Sequence, residues 1–367
     1  MPIPVQPAIA PASPVPDLSI ADLSIVIVSW NVWPILQACL ASLEQTTRSD
    51  PALPPTLRRF GLPRDDQTPH TTLEVIVVDN GSADETCAQL PPAFPWVRFI
   101  ATGENLGFTG GNNLGYAHAQ GKFIYFLNPD TEVIPGPGGE DSLGTLYAAV
   151  AADPTIALAG PRLFYGNGAL QYSRRRFPTR WTGFFESTWL GRKWTNNPWI
   201  RDYFMVDWPA DFAHDVDWVV GAAMLARRDA LEAIRLPHLT GPFDEAFFMY
   251  SEEVDLCHRL RDKGGRVVYV PTAQVRHHEG RSSQQVIAAQ LIRFNRSKIT
   301  YARKYFGRGW SEFLRRYLLL EFRLMRWEEW LKWRLGSKRA LRAKRIAYYQ
   351  QVLQDGLHPQ PLSESPE

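Results

Sequence analysis

The hydrophobic positions of this chain follow two rhythms. In the first third, short unbroken runs of aliphatic and β-branched residues alternate with stretches of helical spacing. Leu23–Ser29 (LSIVIVS), Leu73–Val78 (LEVIVV), Val97–Ala101 and Lys122–Leu127 (KFIYFL) are too short for helices. They read as strands buried on both faces of a parallel sheet. Between them, Ile35–Gln45, Asp84–Leu90 and Asn112–Gln120 read as helices, the last ended by Gly121. Such alternation predicts a doubly wound α/β sheet. Thr46–Thr72, rich in Pro, Arg and Asp, reads as an inserted loop.

The rest is mixed. A helix is expected within Gly136–Ala152, strands at Ile156–Ala159, Asp217–Ala226 and Arg266–Val270, and a helix over Glu252–Lys263 stopped by Gly264-Gly265. Phe164–Asp215 is aromatic and basic and matches no single period. From about Ser283 to Gln350 the pattern is almost entirely helical.

Composition sharpens this. At 367 residues and 45% hydrophobic content, the chain can bury a large core, which excludes global disorder. The net charge of +2 argues against a nucleic-acid binder, but it is a cancellation. Leu291–Gln350 holds 17 Lys/Arg and 4 Asp/Glu, and the remainder holds 23 and 34. Cys39, Cys87 and Cys257 are scattered, which fits a reducing compartment and offers no disulfide framework or zinc site. The Pro/Ala-rich start lacks the basic and apolar regions of a signal peptide, and no apolar stretch approaches 18 residues. A cytoplasmic protein is expected, peripheral on the inner face of the cell membrane if the basic region binds lipid.

Three predicted strands end in polar, turn-forming residues: Ser29-Trp30-Asn31, Asp79-Asn80-Gly81-Ser82 and Asn128-Pro129-Asp130-Thr131. Each alone is an ordinary turn sequence. Parallel strands, however, would bring all three to one sheet edge, where open α/β sheets bind ligands. Between them lies the glycine-rich Glu104–Asn113. It reads as a loop opening a helix, with backbone N–H groups able to meet an anion or ribose, or simply as a loop that closes helix–strand packing. It is neither a P-loop nor a dinucleotide fingerprint.

With these residues in view, the chain resembles the inverting family 2 glycosyltransferases of GT-A fold, nearest their bacterial rhamnosyltransferase-like branch. The matching segments are VIVSWN, VIVVDNGSADET, ENLGFTGGNNLG, FIYFLNPDT, GAAML, GPFDEAFFMYSEEVDLCHRL and HHEGRSS, in order from about Leu23 to Arg308. The resemblance implies a GT-A α/β domain, a Rossmann-like, mostly parallel sheet flanked by helices, with a basic helical C-terminal extension. The expected limits are a disordered tail over 1–22 and a catalytic domain over 23–282, divided into nucleotide-binding (23–135) and acceptor (136–282) halves. A basic helical region over 283–350 and a disordered tail over 351–367 follow.

The resemblance also implies roles. Ser29, Asn31, Asp79, Asn80 and Ser82 would face the nucleotide, with Asn105, Gly107 and Asn112 of the glycine-rich run. Asn128 and Asp130 form a DxD-like pair in which Asn replaces the first carboxylate, so one carboxylate would serve a Mg²⁺ or Mn²⁺ ion. His277 would complete the metal site, and Arg281 and Ser282 would meet the diphosphate. Glu253 stands where the family has an Asp base, with Asp255 as the fallback. Trp218, Gly221, Ala222 and Glu252 would form the acceptor side, and Phe243, Phe247, Phe248 and Tyr250 could stack on sugars. A competing reading makes Ser251 a helix cap followed by ordinary acidic first-turn residues.

The expected function is metal-dependent, inverting transfer of a sugar, L-rhamnose by resemblance, from a dTDP or UDP donor to a saccharide or lipid-linked acceptor in surface polysaccharide synthesis. The alternatives are a nucleotidyltransferase, which would need a basic glycine-rich loop near the first strand, and a catalytically silent membrane scaffold. In the basic region, Trp327, Trp330 and Trp333 recur every third residue among arginines and lysines. That pattern suits an anionic membrane surface, packing on the catalytic domain, or a polyanionic acceptor.

Overall fold

The computed structural model describes residues 21–61, 71–278, 287–336 and 338–362, so Arg281 and Ser282 lie outside the described residues. The first half comprises β1 (Leu23–Ser29), α1 (Trp33–Thr46), β2 (Arg48–Ser49), β3 (Arg58–Phe60), β4 (Thr71–Asp79), α2 (Thr86–Ala93), β5 (Arg98–Ala101), α3 (Gly107–His118), β6 (Phe123–Leu127) and β7 (Thr131–Ile134). Next come α4 (Ser142–Ala152), β8 (Ile156–Tyr165), β9 (Leu170–Gln171), β10 (Arg174–Arg175), α5 (Arg180–Ser187), α6 (Trp189–Lys193) and α7 (Pro198–Tyr203). The remainder is β11 (His214–Val216), β12 (Trp218–Val219), β13 (Ala223–Arg227), α8 (Arg228–Ile234), α9 (Glu252–Asp262), β14 (Arg266–His277), α10 (Ile287–Phe306), α11 (Arg308–Arg334) and α12 (Arg339–Asp355).

One sheet runs in the order β11-β14-β8-β13-β6-β1-β4-β3-β2, with β5 on β4, β7 on β14 and β9 on β8. β6, β1, β4 and β5 are parallel, β8 is parallel to β14, and β13 joins the two groups antiparallel to both β6 and β8. This mixed, mostly parallel sheet with flanking helices and a helical C-terminal region is the expected GT-A class.

The two-residue period of β1 explains its burial. Leu23, Ile25 and Ile27 join Leu36, Cys39, Leu40 and Leu43 of α1 in one core. Val26 and Val28 join Tyr116 of α3 in the other. The glycine-rich run turns out to be helical from Gly107, five residues earlier than the spacing predicts. Its glycines bring α3 down onto β1. A Cβ on Gly115 would lie 2.4 Å from Val26 Cγ1, and one on Gly111 would lie 2.7 Å from Val28 Cγ1.

Other expectations shift too. Thr46–Thr72 is more than a loop, because β3 extends the sheet antiparallel to β4 and buries Phe60. Arg58 hides there by donating from Nε to Thr47 Oγ1 at 2.6 Å, so a buried strand between β4 and β2 carries a polar sequence. Asp217–Ala226 is two strands broken around Gly221. The first residues of the tail expected from 351 are structured: α12 continues to Asp355, and Val352 and Leu357 enter a core with Ile299, Leu314 and Leu318.

Substituting Gly115 by Ala tests the close approach. Helix propensity alone would favour Ala by about 1 kcal/mol, but forcing a methyl into packed atoms costs about 1–3 kcal/mol. A net loss of about 1 kcal/mol is expected in denaturant unfolding; a gain would show that α3 is free to move off β1.

Candidate active site

Because β6, β1 and β4 are adjacent and parallel, their polar ends meet. Ser29 is the direct register partner of Asp79, and Asn128 follows β6 alongside. A cleft of about 430 Å³ opens at this edge. Ser29, Trp30, Asn80, Asn105, Gly107, Asn128 and Asp130 line one side. Trp218, Gly221, Ala222, Glu252, Glu253 and His277 face them.

Not every expected residue reaches the cleft. Asn31 ties two loops together: its N–H donates to Ser82 Oγ at 2.9 Å and its Oδ1 accepts from Ala83 N–H at 2.7 Å. Asn112 spends its amide on Phe108 O at 2.9 Å within α3. Asn31, Ser82 and Asn112 are therefore positioning residues, and so is the Asn80 amide, which donates to Gly107 O at 2.7 Å. Asp79 lies just behind the wall. Its Oδ2 accepts from Ser82 N–H at 3.0 Å, while its Oδ1 is buried with no hydrogen-bond partner. Ser29 Oγ and Asn128 Oδ1 are buried and equally unpartnered. Buried polar atoms left unpaired are costly, and their clustering at one sheet edge marks a place for a polar ligand.

Asp130 and His277 come together, with Oδ1 and Nε2 3.4 Å apart. His277 Nδ1 lies 3.0 Å from Gln171 Oε1, which fixes the ring with Nε2 facing Asp130. Among the described residues no three His, Cys, Asp or Glu side chains gather into a metal cage.

The acidic pair sits at the start of α9, where Tyr250 (φ 72°) and Ser251 (φ 65°) both adopt left-handed backbone. Ser251 stands at the N-cap position and Glu252, Glu253 and Asp255 fall in the first turn, as the competing reading expects, but the Ser251 side chain makes no capping hydrogen bond. Strain of about 1–3 kcal/mol per residue persists only where the surroundings enforce it. Here it aims Glu252 and Glu253 into the cleft, and a Cβ on Gly221 would lie 3.3 Å from Glu253 Cβ. Desolvation raises both carboxyls, Glu253 to about 7 and Glu252 well above its ordinary value, with the Glu253 charge adding to the latter. One oxygen of each has no hydrogen-bond partner.

Asp255 is a different case and is corrected here: it does not line the cleft. It accepts from Arg259 Nε and Tyr305 OH, both at 2.8 Å, and lies 2.7 Å from Lys304 Nζ. Burial pushes its carboxyl up, but the Arg259 and Lys304 charges outweigh this and hold it below its usual range. A fully paired carboxylate cannot serve as a base.

Residues that the sequence reading left out complete the wall. Arg175 of β10 reaches it from the stretch without a period, stacked 4.2 Å over Phe204, where only the Arg174-Arg175-Arg176 run hinted at a role. Gln290, Arg293 and Phe294 come from α10, and Arg293 stacks 4.4 Å over Phe248. Of the readings open for the basic region, packing on the catalytic domain holds for its first helix, which contributes lining residues to the cleft.

A glycosyl transferase family 2 model matches residues 24–219. The chain is 28% identical over 333 residues to the N-acetylglucosaminyl-diphospho-decaprenol L-rhamnosyltransferase of Mycobacterium tuberculosis, covering 88% of this chain and 91% of that protein. It is 31% identical over 188 residues to the rhamnosyltransferase WbbL of Escherichia coli, covering 48% and 63%. Among solved structures, GalNAc-T7 with UDP, GalNAc and Mn²⁺ aligns with a TM-score of 0.50 at 14% identity, over 78% of this chain and 48% of that one. At that identity the likeness speaks for the fold alone.

Lys304 is the group to test for stability. Lys304→Met would leave Asp244 and Asp255 facing each other in the interior. Removing one partner of a buried pair costs about 3–5 kcal/mol, and a loss of that order is expected in urea unfolding at pH 7. The loss should shrink as pH falls, because Asp255, whose carboxyl the Lys304 charge helps to hold below its usual range, takes up a proton more readily in the variant. A loss under about 1 kcal/mol would mean that Arg259 and Tyr305 suffice.

Proposed function

The chain belongs to glycosyl transferase family 2, and from that premise we propose that it transfers L-rhamnose from dTDP-L-rhamnose, with inversion, to a lipid-linked saccharide in surface polysaccharide synthesis. The observation that carries the reading is the meeting of three polar strand ends with an unpaired, desolvated Glu253 in one cleft. Similarity to two rhamnosyltransferases supports the sugar, and the substrate in the mycobacterial relative's name supports a lipid-linked acceptor. Keeping an uncompensated carboxylate in such a place is costly for a scaffold and useful to an enzyme.

Inversion requires one in-line displacement. The acceptor hydroxyl attacks the anomeric carbon, its proton passes to the Glu253 carboxylate, and the nucleoside diphosphate departs. Ser29 and Asp79, with their unpartnered oxygens, would hold the nucleoside end, and Asn80 would position the loop beside them. The residues present suit a divalent ion: Asp130 and His277 would hold Mg²⁺ or Mn²⁺, with the unpartnered Asn128 Oδ1 beside them. Such an ion would supply positive charge to the leaving diphosphate. Arg175 and Arg293 add fixed positive charge to the same cleft.

Membrane contact accompanies this reading. Among the described residues no helix is long and apolar enough to cross a bilayer. On α11, Phe313, Leu320, Leu324 and Trp327 are exposed and, at 100° per residue, fall within an arc of about 60°. Arg316, Arg323 and Arg334 run along one side of that stripe, an arrangement suited to an anionic interface. Trp327, Trp330 and Trp333 together line a groove against Ile346 and Ala347 of α12, so the tryptophan triplet borders one groove, with Trp327 at the edge of the outward stripe.

Two experiments test the reading. Wild-type enzyme should turn over dTDP-L-rhamnose with a rate that rises through about pH 7 as Glu253 ionises. The groups facing Glu253 are Glu252, Arg175, Glu186 and Tyr203. Glu253→Gln should lower kcat by about 10²–10⁴-fold and abolish that rise; undiminished transfer removes Glu253 as the base. In flotation assays the protein should bind vesicles containing phosphatidylglycerol, and Leu324→Glu with Trp327→Glu should release it. Equal binding by the double variant would locate the membrane face elsewhere.

A further inference from the structure

A second cavity, of about 130 Å³, opens off the catalytic cleft. Trp218, Tyr250, Glu253 and Phe294 line both spaces. From Glu253 the cavity runs between α5 and α10, past Gly183 and Ala302, to Trp310 and Leu314 of α11. Its walls are mainly apolar. The Lys298–Glu186 ion pair, at 2.5 Å, stands beside it, and Lys298 Nζ lies 4.8 Å from the Phe294 ring centre. At its far end the Trp310 ring is 6.0 Å from Trp181 and 5.1 Å from Phe313, which are 52% and 47% exposed. The cavity therefore joins the base at one end to the outward aromatic face at the other.

We propose that this cavity receives the first hydrocarbon unit of the acceptor lipid and leads the chain from the saccharide at Glu253 to the bilayer. The inference rests on the reading of the acceptor as lipid-linked. At a liquid-like volume of about 30 Å³ per heavy atom, the space holds on the order of four or five carbons. That is one isoprenoid unit. The remainder of the chain passes Trp310 and meets the membrane along the Trp181 and Phe313 surface. Each methylene removed from water improves binding by about fourfold, so the cavity selects acceptors with a hydrocarbon next to the phosphate over free saccharides.

Gly183 gives a clean test, because nothing lies within 4 Å of where its Cβ would be. Gly183→Phe places a ring in the cavity, and Gly183→Ala leaves it open and controls for helix effects. The first readout needs no catalysis: farnesyl diphosphate binding followed by tryptophan fluorescence. Wild type and Gly183→Ala should bind it, and Gly183→Phe should bind at least about tenfold more weakly. The ratio of kcat/KM for lipid-linked over lipid-free acceptor should fall in Gly183→Phe alone. Equal farnesyl diphosphate binding by all three, or binding by none, overturns the cavity assignment. If wild type binds the probe and Gly183→Phe does not, the cavity stands as a prenyl site even where no rhamnose transfer is seen; that second result counts against the proposed reaction instead.

Discussion

Asp244 and Asp255 are both fully buried, and Lys304 reaches between them with its nitrogen 2.7 Å from each. Two uncompensated carboxylates in an interior would take up protons or force the site open. Much of the architecture follows from this one ammonium group. Lys304 belongs to α10, so the pairing pins the first basic helix to the catalytic body. Ser297 adds a second pin by donating to Met249 O at 2.7 Å, immediately before the left-handed Tyr250 and Ser251. With α10 held there, Gln290, Arg293 and Phe294 close the cleft, and α9 starts with its two glutamates turned inward.

Two acidic residues of one helical turn therefore have opposite fates. Asp255 accepts from Arg259, Lys304 and Tyr305 and is locked in its charged form. Glu253 keeps an unpartnered oxygen, and desolvation holds its proton up to about neutral pH. Environments that push neighbouring carboxyl groups apart divide them into a structural role and a proton-transfer role. The same contrast appears at the strand ends. The amides of Asn31 and Asn80 are consumed in tying loops and that of Asn112 within α3, whereas Ser29, Asp79 and Asn128 retain unpaired atoms at the sheet edge.

The charge division of the chain has a physical counterpart, though a less simple one than its arithmetic. Part of the basic excess is neutralised where it stands, with Arg296 on Asp355, Arg315 on Glu312, and Arg342 and Arg345 on Glu329. Part is directed inward through Lys304, Lys298 and Arg293 to complete the catalytic body. What faces outward lies beside the Phe313–Trp327 stripe. One helical region thus serves as a wall of the site, as a small core of its own around Leu314 and Leu318, and as the face offered to a surface.

Much was legible in the order of residues alone. Continuous aliphatic runs specify buried parallel strands, because only a strand covered on both faces can be apolar at every position. Parallel strands oblige their carboxyl ends to meet, so Ser29, Asp79, Asn128 and Asp130 could be assigned to one edge, whereas Glu253 was singled out only by the resemblance to the family. What local pattern could not supply were choices made by partners far along the chain. Glycines conceal helical spacing, so only the contact with Val26 and Val28 reveals α3 as a helix from Gly107. Arg58 and Phe60 look like loop residues until Thr47 and β4 satisfy them. Asp255 and Glu253 are equivalent carboxylates in sequence, and only Lys304, 49 positions beyond Asp255, makes one inert and leaves the other reactive. Sequence sets which groups are available and which backbone they prefer; desolvation and pairing, which fix their chemistry, arise only when distant segments pack.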